Sequence, residues 1–212
     1  MLAATVFFLV QHGQVDKKFK DSMLVAALIT GIAALHYYYM RNAAMEGDIT
    51  TAYRYVDWIL TVPLMCVEFY LILKPSGATK SMLWKLIGLS VVMLVTGYVG
   101  EAGLGDAVVW GTISGISYFV IVYILWFGSA GQLAQKAGGA VLDAFNALKW
   151  IVSIGWSIYP IGYIFGLLAP MIGLETININ FLNITYNLAD FINKILFGLI
   201  IWNVAYKDKA LN

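Results

Sequence analysis

Charged side chains are scarce in this chain. Asp, Glu, Lys and Arg make up 12% of its 212 residues, whereas a soluble domain carries about 25%. The basic residues are scattered between apolar blocks, so the chain lacks the dense positive cluster that nucleic-acid binding requires. Hydrophobic residues account for 61% of the sequence instead. This balance indicates an integral membrane protein.

Cysteine is also nearly absent. Cys66 is the one cysteine of the chain, which excludes an intrachain disulfide and a cysteine metal cluster. The N-terminus lacks the basic region and the small-residue cleavage pattern of a signal peptide. Its first ten residues are apolar but fall short of the roughly 20 that a spanning helix requires. We therefore expect them to be the end of a first helix whose beginning is missing from this sequence.

Long apolar runs, bounded by charge, glycine or proline, predict seven membrane-spanning helices in one all-α domain over residues 1–212. The loops between them are mostly short, as in a bundle of antiparallel neighbours. Residues 129–146 are the exception, because this Gly- and Ala-rich segment is predicted to be a flexible linker. The predicted helices cover residues 1–12, 22–40, 53–73, 82–100, 107–128, 147–171 and 183–206.

Lysine marks one side of the predicted bundle. Ten lysines lie in one set of alternate loops and in the C-terminal tail, and the opposite loops hold Arg41 as their one basic residue. Because basic loops stay in the cytoplasm, we expect a cytoplasmic C-terminus and an external N-terminus. The expected location is the cell inner membrane, as a multi-pass protein.

Five ionisable side chains lie inside the predicted spans, and His36 joins them as a further polar group. Charges at membrane depth are costly and are therefore functional candidates. The five are Arg54, Asp57, Glu68, Asp190 and Lys194.

Asp190 and Lys194 are four residues apart and share one face of a helix. A lysine at this depth must be paired, neutralised or covalently used. From these two residues alone, a structural ion pair and a reactive amine are both open.

A second helix carries Asp57, Thr61, Met65 and Glu68 on one face, at positions i, i+4, i+8 and i+11. The two carboxyl groups are about 16 Å apart along the axis at ~1.5 Å per residue. They therefore lie at opposite depths of the membrane, with Asp57 on the outer side.

A protonated imine on Lys194 would require anions beside it. Asp57 and Asp190 can supply them, and Arg54 can offset their mutual repulsion. Glu68 has no basic partner in the pattern and should stay neutral when buried. An anion on the outer side and a neutral acid on the inner side of one imine would form a directional proton path.

These residues resemble those of the microbial rhodopsins, most closely the proteorhodopsin-type light-driven proton pumps. The resemblance covers nearly the whole chain and implies a bacteriorhodopsin-like seven-helix fold and an ion transporter, not an enzyme. The motifs that carry it are Arg54-Tyr55-Val56-Asp57-Trp58-Ile59-Leu60-Thr61-Val62-Pro63, Gly155-Trp156-Ser157-Ile158-Tyr159-Pro160 and the segment from Asn187 to Trp202.

The resemblance implies a role for each polar group. The matches are Lys194 for all-trans retinal attached as a Schiff base, Asp57 for the proton acceptor, Asp190 for the second counterion, Glu68 for the cytoplasmic proton donor, His36 for the histidine that pairs with the acceptor, and Arg54 for the arginine near the counterions. Simpler interpretations exist for two of them. His36 could be a hydrogen-bonded interior histidine, and Arg54 could reach out to the interface.

The retinal pocket is implied by the same resemblance, although aromatic stripes at helical spacing are more often plain packing. Met65 stands at the family's colour-tuning position, and an apolar residue there predicts green absorption. The pocket residues are Tyr37, Trp58, Thr61, Met65, Met93, Gly97, Trp110, Ser114, Trp156, Tyr159, Pro160 and Tyr163.

Two positions depart from the archaeal pump of the family. Leu182 stands eight residues before Asp190, where that pump has a glutamate of its external proton-release pair. Gly111 resembles the small residue that makes room for a carotenoid antenna in xanthorhodopsins, and a carotenoid is therefore a second candidate cofactor.

The expected function is outward proton pumping across the lipid bilayer. The carboxyl groups of Asp57 and Glu68 separate this pattern from the chloride and sodium pumps of the family. A photosensory rhodopsin that signals to a partner protein is the alternative. A retinal-free receptor or transporter, with Lys194 in a structural pair, is a second one. Relatives form pentamers or hexamers, so a homo-oligomer is expected, with no metal.

Overall fold

The computed structural model describes residues 1–46, 50–169, 172–173 and 179–211, and within these residues it is helical with no strand. A 3-10 turn follows α3 at Lys74–Ser76, and a π-helical turn joins α7 to α8 at Ile151–Gly155. The helices are α1 (Leu2–His12), α2 (Lys17–Glu46), α3 (Thr51–Leu73), α4 (Lys80–Glu101), α5 (Ala107–Trp126), α6 (Ser129–Ala137), α7 (Gly139–Trp150), α8 (Ile158–Leu168) and α9 (Ile179–Leu211).

Six stretches are long and apolar enough to cross a membrane, and α1 is a shorter apolar helix beside them. The predicted seven-helix bundle is therefore confirmed. The six are Lys17–Glu46, Thr51–Ser76, Lys80–Glu101, Ala107–Ala137, Gly139–Leu168 and Phe181–Lys207. Of the predicted span over residues 147–171, residues 170 and 171 lie outside the described residues.

Polar residues at the loops set the beginnings of two helices. The Thr79 hydroxyl accepts a hydrogen bond of 3.3 Å from the Met82 backbone N–H at the start of α4. The Asp106 carboxylate accepts one of 2.8 Å from the Val109 N–H at the start of α5. Each side chain satisfies a backbone donor that the first helical turn leaves unpaired.

The helices pack into a ring. Neighbours in sequence contact one another, and α9 closes the ring against α1, α2, α7 and α8. Large apolar side chains fill the interior, among them Phe69, Phe145 and Phe197, each 1% exposed. Apolar residues also cover the outside, as with Phe119 at 68% exposure. An apolar exterior fits a lipid environment, where the backbone hydrogen bonds must be made inside each helix.

The prediction of a flexible linker over residues 129–146 is wrong. The segment forms α6 and the first two turns of α7, with a break at Gly138 and Gly139, whose φ angles are +63° and +49°. Ala130 and Ala134 are fully buried one helical turn apart. Alanine is a strong helix former, and this small-residue stripe packs against the bundle, so the composition marked a helix pair.

The two ends of the bundle differ in their charged residues. The lysine end is the end where α3 finishes, close to Lys74 and Lys80. The arginine end is the end where α3 begins, close to Arg54.

Candidate functional site

Lys194 lies inside the bundle on α9 with 2% of its side chain exposed. Its Nζ donates to Asp57 Oδ2 of α3 and, over 2.7 Å, to Asp190 Oδ2 one turn earlier on α9. The structure thus brings together the pair predicted from i,i+4 spacing and adds a carboxylate from a second helix. One cation lies between two buried anions.

Asp190 is the centre of a hydrogen-bond network. Its Oδ2 accepts from Tyr37 OH at 2.9 Å, and its Oδ1 accepts from Trp58 Nε1 and Tyr159 OH, both at 3.2 Å. These donors come from α2, α3 and α8. Because hydrogen bonds to a charged group are stronger than neutral ones, the network holds Asp190 as an anion.

Asp57 is less well satisfied. It is fully buried, and its Oδ1 has no hydrogen-bond partner among the described residues. Thr61, one turn further along α3, donates its hydroxyl to the Asp57 backbone oxygen at 2.9 Å and not to the carboxylate. Asp57 therefore depends on Lys194 for compensation of its charge.

Arg54 is buried at the arginine end with 2% of its side chain exposed, so its interpretation as an interfacial arginine is wrong. Its Nη1 lies 3.6 Å from Glu101 Oε1, its Nη2 donates to Asn183 Oδ1, and its guanidinium lies 4.8 Å from the centre of the Tyr186 ring. Tyr55 OH donates to Glu101 Oε2 at 2.8 Å. Glu101 lies outside the predicted span 82–100, but in the structure it is the last residue of α4. It completes a polar cluster with Arg54 and Tyr55 at the arginine end.

Glu68 lies on the other side of Lys194, towards the lysine end. It is fully buried, and neither carboxyl oxygen makes a hydrogen bond of normal geometry within the described residues. Ser22 of α2 is its polar neighbour. The next residue, Phe69, packs edge-on against Phe145 and Phe197, with ring centres 5.6 and 5.7 Å apart. Glu68 is therefore next in sequence to a buried cluster of three aromatic rings.

A mostly apolar cavity of about 670 Å³ extends from Lys194 between α3, α4, α5, α8 and α9. This volume and lining are typical of sites for apolar ligands. A polyene attached to Nζ fits the residues present, because aromatic side chains surround the amine and its counterions. The predicted pocket residues that line the cavity are Trp58, Met65, Met93, Gly97, Ser114, Trp156, Tyr159, Pro160 and Tyr163.

Three predicted pocket residues are not in the lining. Tyr37 and Thr61 act behind it, through the hydrogen bonds to Asp190 and to the Asp57 backbone described above. Trp110 turns towards the loop, where a Cβ on Gly105 would lie 2.2 Å from its Nε1. Its neighbour Gly111 lines the cavity instead. A shift of one residue rotates a helical side chain by about 100°, which accounts for the error.

Gly111 is explained by close packing. A Cβ at this position would lie 2.5 Å from Cε1 of the Tyr163 ring. Tyr163 in turn donates its hydroxyl to the Ala107 backbone oxygen at 2.6 Å. The glycine therefore lets the α8 tyrosine approach α5.

The expected pair of His36 with Asp57 is not formed. His36 is half-buried, and its Nδ1 donates to the Ile32 backbone oxygen, 2.9 Å away and one turn earlier on α2. This is the simpler of the two interpretations, an interior histidine that bonds to its own helix. The Asp57 oxygen that could have received a histidine proton has no hydrogen-bond partner in the described part of the chain.

The π-helical turn contributes residues that the sequence did not reveal. Tyr118 OH donates to the backbone oxygens of Val152 and Ser153, at 3.1 and 2.8 Å, and Asn193 Nδ2 donates to that of Gly155 at 3.1 Å. A Cβ on Gly155 would lie 2.3 Å from Asn193 Oδ1. The residue before Lys194 is thus fixed to the turn before Trp156. An asparagine inside an apolar span was the one available signal.

The chain is similar to known proteins over nearly its whole length. A family model described as bacteriorhodopsin-like protein matches residues 1–208. The blue-light absorbing proteorhodopsin of Gamma-proteobacterium Hot 75m4 is 48% identical over 212 residues, covering 99% of this chain and 83% of that protein. The green-light absorbing proteorhodopsin of Gamma-proteobacterium EBAC31A08 is 47% identical over 213 residues, covering 99% and 84%.

A solved structure has the same arrangement of helices. The crystal structure of the blue light-absorbing proteorhodopsin from Med12 superposes with a TM-score of 0.82 at 46% sequence identity. The match covers 98% of this chain and 93% of that one.

Proposed function

The chain belongs to the bacteriorhodopsin-like family, and we propose that it is a light-driven proton pump that carries retinal on Lys194. One observation carries the proposal. The amine of Lys194 is held between two buried carboxylates, Asp57 and Asp190, at the end of an apolar cavity of about 670 Å³. A structural ion pair alone gives no reason for such a cavity beside the amine.

Retinal bound to Lys194 Nζ as a Schiff base would supply light absorption and a change of shape that alters the surroundings of the proton on that nitrogen. Trp58, Met65, Trp156 and Tyr159 would hold it, since they line the cavity next to the amine. Trp58 and Tyr159 pack edge-on with ring centres 4.7 Å apart and also donate to Asp190. They would fix the cofactor and the counterion together.

Asp57 is the proposed proton acceptor. Its Oδ2 contacts Lys194 Nζ, and its Oδ1 has no hydrogen-bond partner among the described residues, so Oδ1 can take a proton without breaking a hydrogen bond of its own. Asp190 has three further donors and would lose their charge-assisted hydrogen bonds on protonation. The two carboxylates therefore divide their roles, with Asp190 remaining charged.

Glu68 is the proposed proton donor. A charged carboxylate without a partner is costly in an apolar interior. Glu68 is fully buried, and its carboxyl oxygens have no hydrogen-bond partner among the residues that the structure describes. The neutral acid is therefore the favoured form, and it can return a proton to Lys194 from the lysine end. The positive-inside rule places that end in the cytoplasm, so that the proposed transport is outward.

The exit of the proton would lead past Arg54. Glu101 is paired with Arg54 and is 24% exposed, so it connects the counterions to the arginine end. This cluster would offer a route for release in a chain that has Leu182 where the archaeal pump has a glutamate of its release pair.

Green absorption, a carotenoid and an oligomer are finer proposals. Met65 lines the cavity and is 1% exposed, so an apolar residue lies beside the cofactor site, as expected of a green pigment. Relatives of both colours match the chain almost equally. Gly111 lines the same cavity, but Tyr163 already accounts for this glycine. The carotenoid, the pentamer or hexamer and the inner membrane stay predictions.

The test is a light-induced pH change. Apoprotein in vesicles receives all-trans retinal, its visible absorption is recorded, and pH is followed under illumination with and without a protonophore. Wild type should form a pigment and give a pH change that the protonophore abolishes, whereas Lys194→Ala should do neither. Lys85→Ala, a control lysine at the start of α4, should behave like wild type. A pigment with a slow cycle and no pH change would favour the photosensory alternative.

A further inference from the structure

The cavity beside Lys194 does not end inside the protein. Its lining includes Met65 and Trp156, which are 1% and 5% exposed, but also Phe119, Ile116 and Ile164, which are 68%, 59% and 51% exposed. A single space therefore joins the buried amine to the outer surface of the bundle. The opening lies between α5 and α8.

The opening faces the hydrocarbon core of the membrane. Ile116 and Phe119 lie in the middle of the spanning helix α5 (Ala107–Trp126), and Ile164 lies on α8, four residues before the end of the spanning stretch Gly139–Leu168. The middle of a spanning helix lies about 10–15 Å from either membrane surface, for a hydrocarbon thickness of ~30 Å. On the α5 side, Gly115 leaves open space beside the gap, because a Cβ at this position would meet nothing within 4 Å.

The two ends of the bundle are poor routes for an apolar molecule. On the side of the lysine end, the buried rings of Phe69, Phe145 and Phe197 pack against one another. At the arginine end, a route would pass the ion pair of Arg54 and Glu101. Charged groups favour contact with water over contact with a polyene.

We propose that the gap between α5 and α8 is the entrance through which retinal passes from the lipid bilayer to Lys194. The inference rests on the proposed retinal binding and adds its route. An apolar aldehyde dissolves in the hydrocarbon region, and the gap meets that region at the depth of the cavity. The side chains that line the route from the lipid to the amine are mainly apolar.

The test measures the rate of pigment formation, not transport. Apoprotein in phosphatidylcholine vesicles is mixed with all-trans retinal, and the visible absorbance is followed to its own final value. Gly115→Leu and Gly115→Trp should narrow the gap stepwise. We expect Gly115→Trp to slow pigment formation about tenfold, which corresponds to a barrier about 1.4 kcal/mol higher, and Gly115→Leu to slow it less.

Gly88 on α4 supplies the matched control. Like Gly115, it is a helical glycine whose Cβ would meet nothing within 4 Å, but it is exposed and is not part of the cavity lining. Gly88→Trp should therefore form pigment at the wild-type rate. Ile164→Trp narrows the gap from the α8 side and keeps the test decisive if Gly115→Trp does not fold.

The proposal is overturned if folded Gly115→Trp and Ile164→Trp form pigment as fast as Gly88→Trp. It is also overturned if they remain fast while Ala107→Trp, which narrows the cavity near Glu101, is slow, because retinal would then pass through the arginine end. Failure of wild type to form any pigment would instead contradict the proposed function. The two ideas therefore fail in different ways.

Discussion

Two carboxyl groups on α3 differ in almost every contact. Asp57 contacts Lys194, and the same amine also contacts Asp190, one helical turn earlier on α9. Glu68, on the other side of Pro63, is equally buried but has no hydrogen bond among the described residues. Burial is therefore the same at both sites, and the partners differ. A partnered site sustains a charge and an unpartnered one favours the neutral acid.

The difference originates in the other helices. At the depth of Asp57, α2, α8 and α9 supply Tyr37, Tyr159 and Lys194, all of them hydrogen-bond donors. Near Glu68, α7 and α9 supply Phe145 and Phe197, and the polar neighbour is Ser22 of α2. Direction of transport would then follow from side chains that lie beside α3 and not from α3 alone.

The largest effect is expected from Asp57→Asn. An amide cannot accept the proton, so light-driven transport should fall by about 10² or more, the range of a general base. The measurement is the initial light-induced pH change in vesicles. Asp106→Asn changes the α5 capping residue in the same chemical way and should retain transport. Transport by Asp57→Asn above roughly one-tenth of the wild-type rate would contradict the acceptor role, because loss of a general base costs more than that.

Glu68→Gln should slow the cycle without stopping it. The proton must then come from the water at the lysine end, so the rate of reprotonation should rise about tenfold for each unit by which the pH falls, as a first-order dependence on proton concentration implies. Flash spectroscopy at several pH values measures this rate. Asp143→Asn, an exposed control on α7, should keep the wild-type profile. A pH-independent rate in Glu68→Gln would show that another group is the donor.

Tyr37→Phe should destabilise the folded state moderately. It removes one of the donors to Asp190, and a hydrogen bond to a charged group contributes about 1.5–3 kcal/mol. The free energy of unfolding can be compared in detergent micelles with a denaturant titration. Tyr39→Phe, at a tyrosine of α2 that is 51% exposed, should change it by less. Equal free energies of unfolding for the two variants would show that the hydrogen bond from Tyr37 to Asp190 does not stabilise the fold.

The smallest effect concerns colour. The wild-type pigment should absorb green light, and Met65→Gln should shift its maximum towards the blue, because an amide in the cavity lining interacts with the charge distribution of the ground state. Absorption spectra of the purified pigments test both statements. A wild-type maximum in the blue would refute the assignment of Met65.

Sequence patterns predicted the parts of the fold that depend on local chemistry. Apolar runs located the spans, and i,i+4 spacing correctly aligned Asp190 with Lys194. Composition misled at residues 129–146, because glycine and alanine suit both a linker and closely packed helices. The buried alanines of α6 are distinguishable only when the neighbouring helices are present.

The spacing of residues along the sequence did not predict the contacts between helices. Trp110 turned out one residue away from the position that lines the cavity, and His36 bonds to its own helix instead of Asp57. Glu101 and Asn193 gained their importance from Arg54 and Gly155, which are far away in sequence. Such pairings depend on helix rotation, which a single sequence does not specify.

The inequivalence of the two α3 carboxyl groups can be measured directly by time-resolved infrared spectroscopy of the carboxylic acid C=O stretch. In the dark, we expect Asp57 to be ionised and Glu68 to be protonated. After a flash, a protonated-acid band should appear that is missing in Asp57→Asn, and later a band should disappear that is missing in Glu68→Gln. An ionised Glu68 in the dark, or no protonation of Asp57 after the flash, would contradict the account.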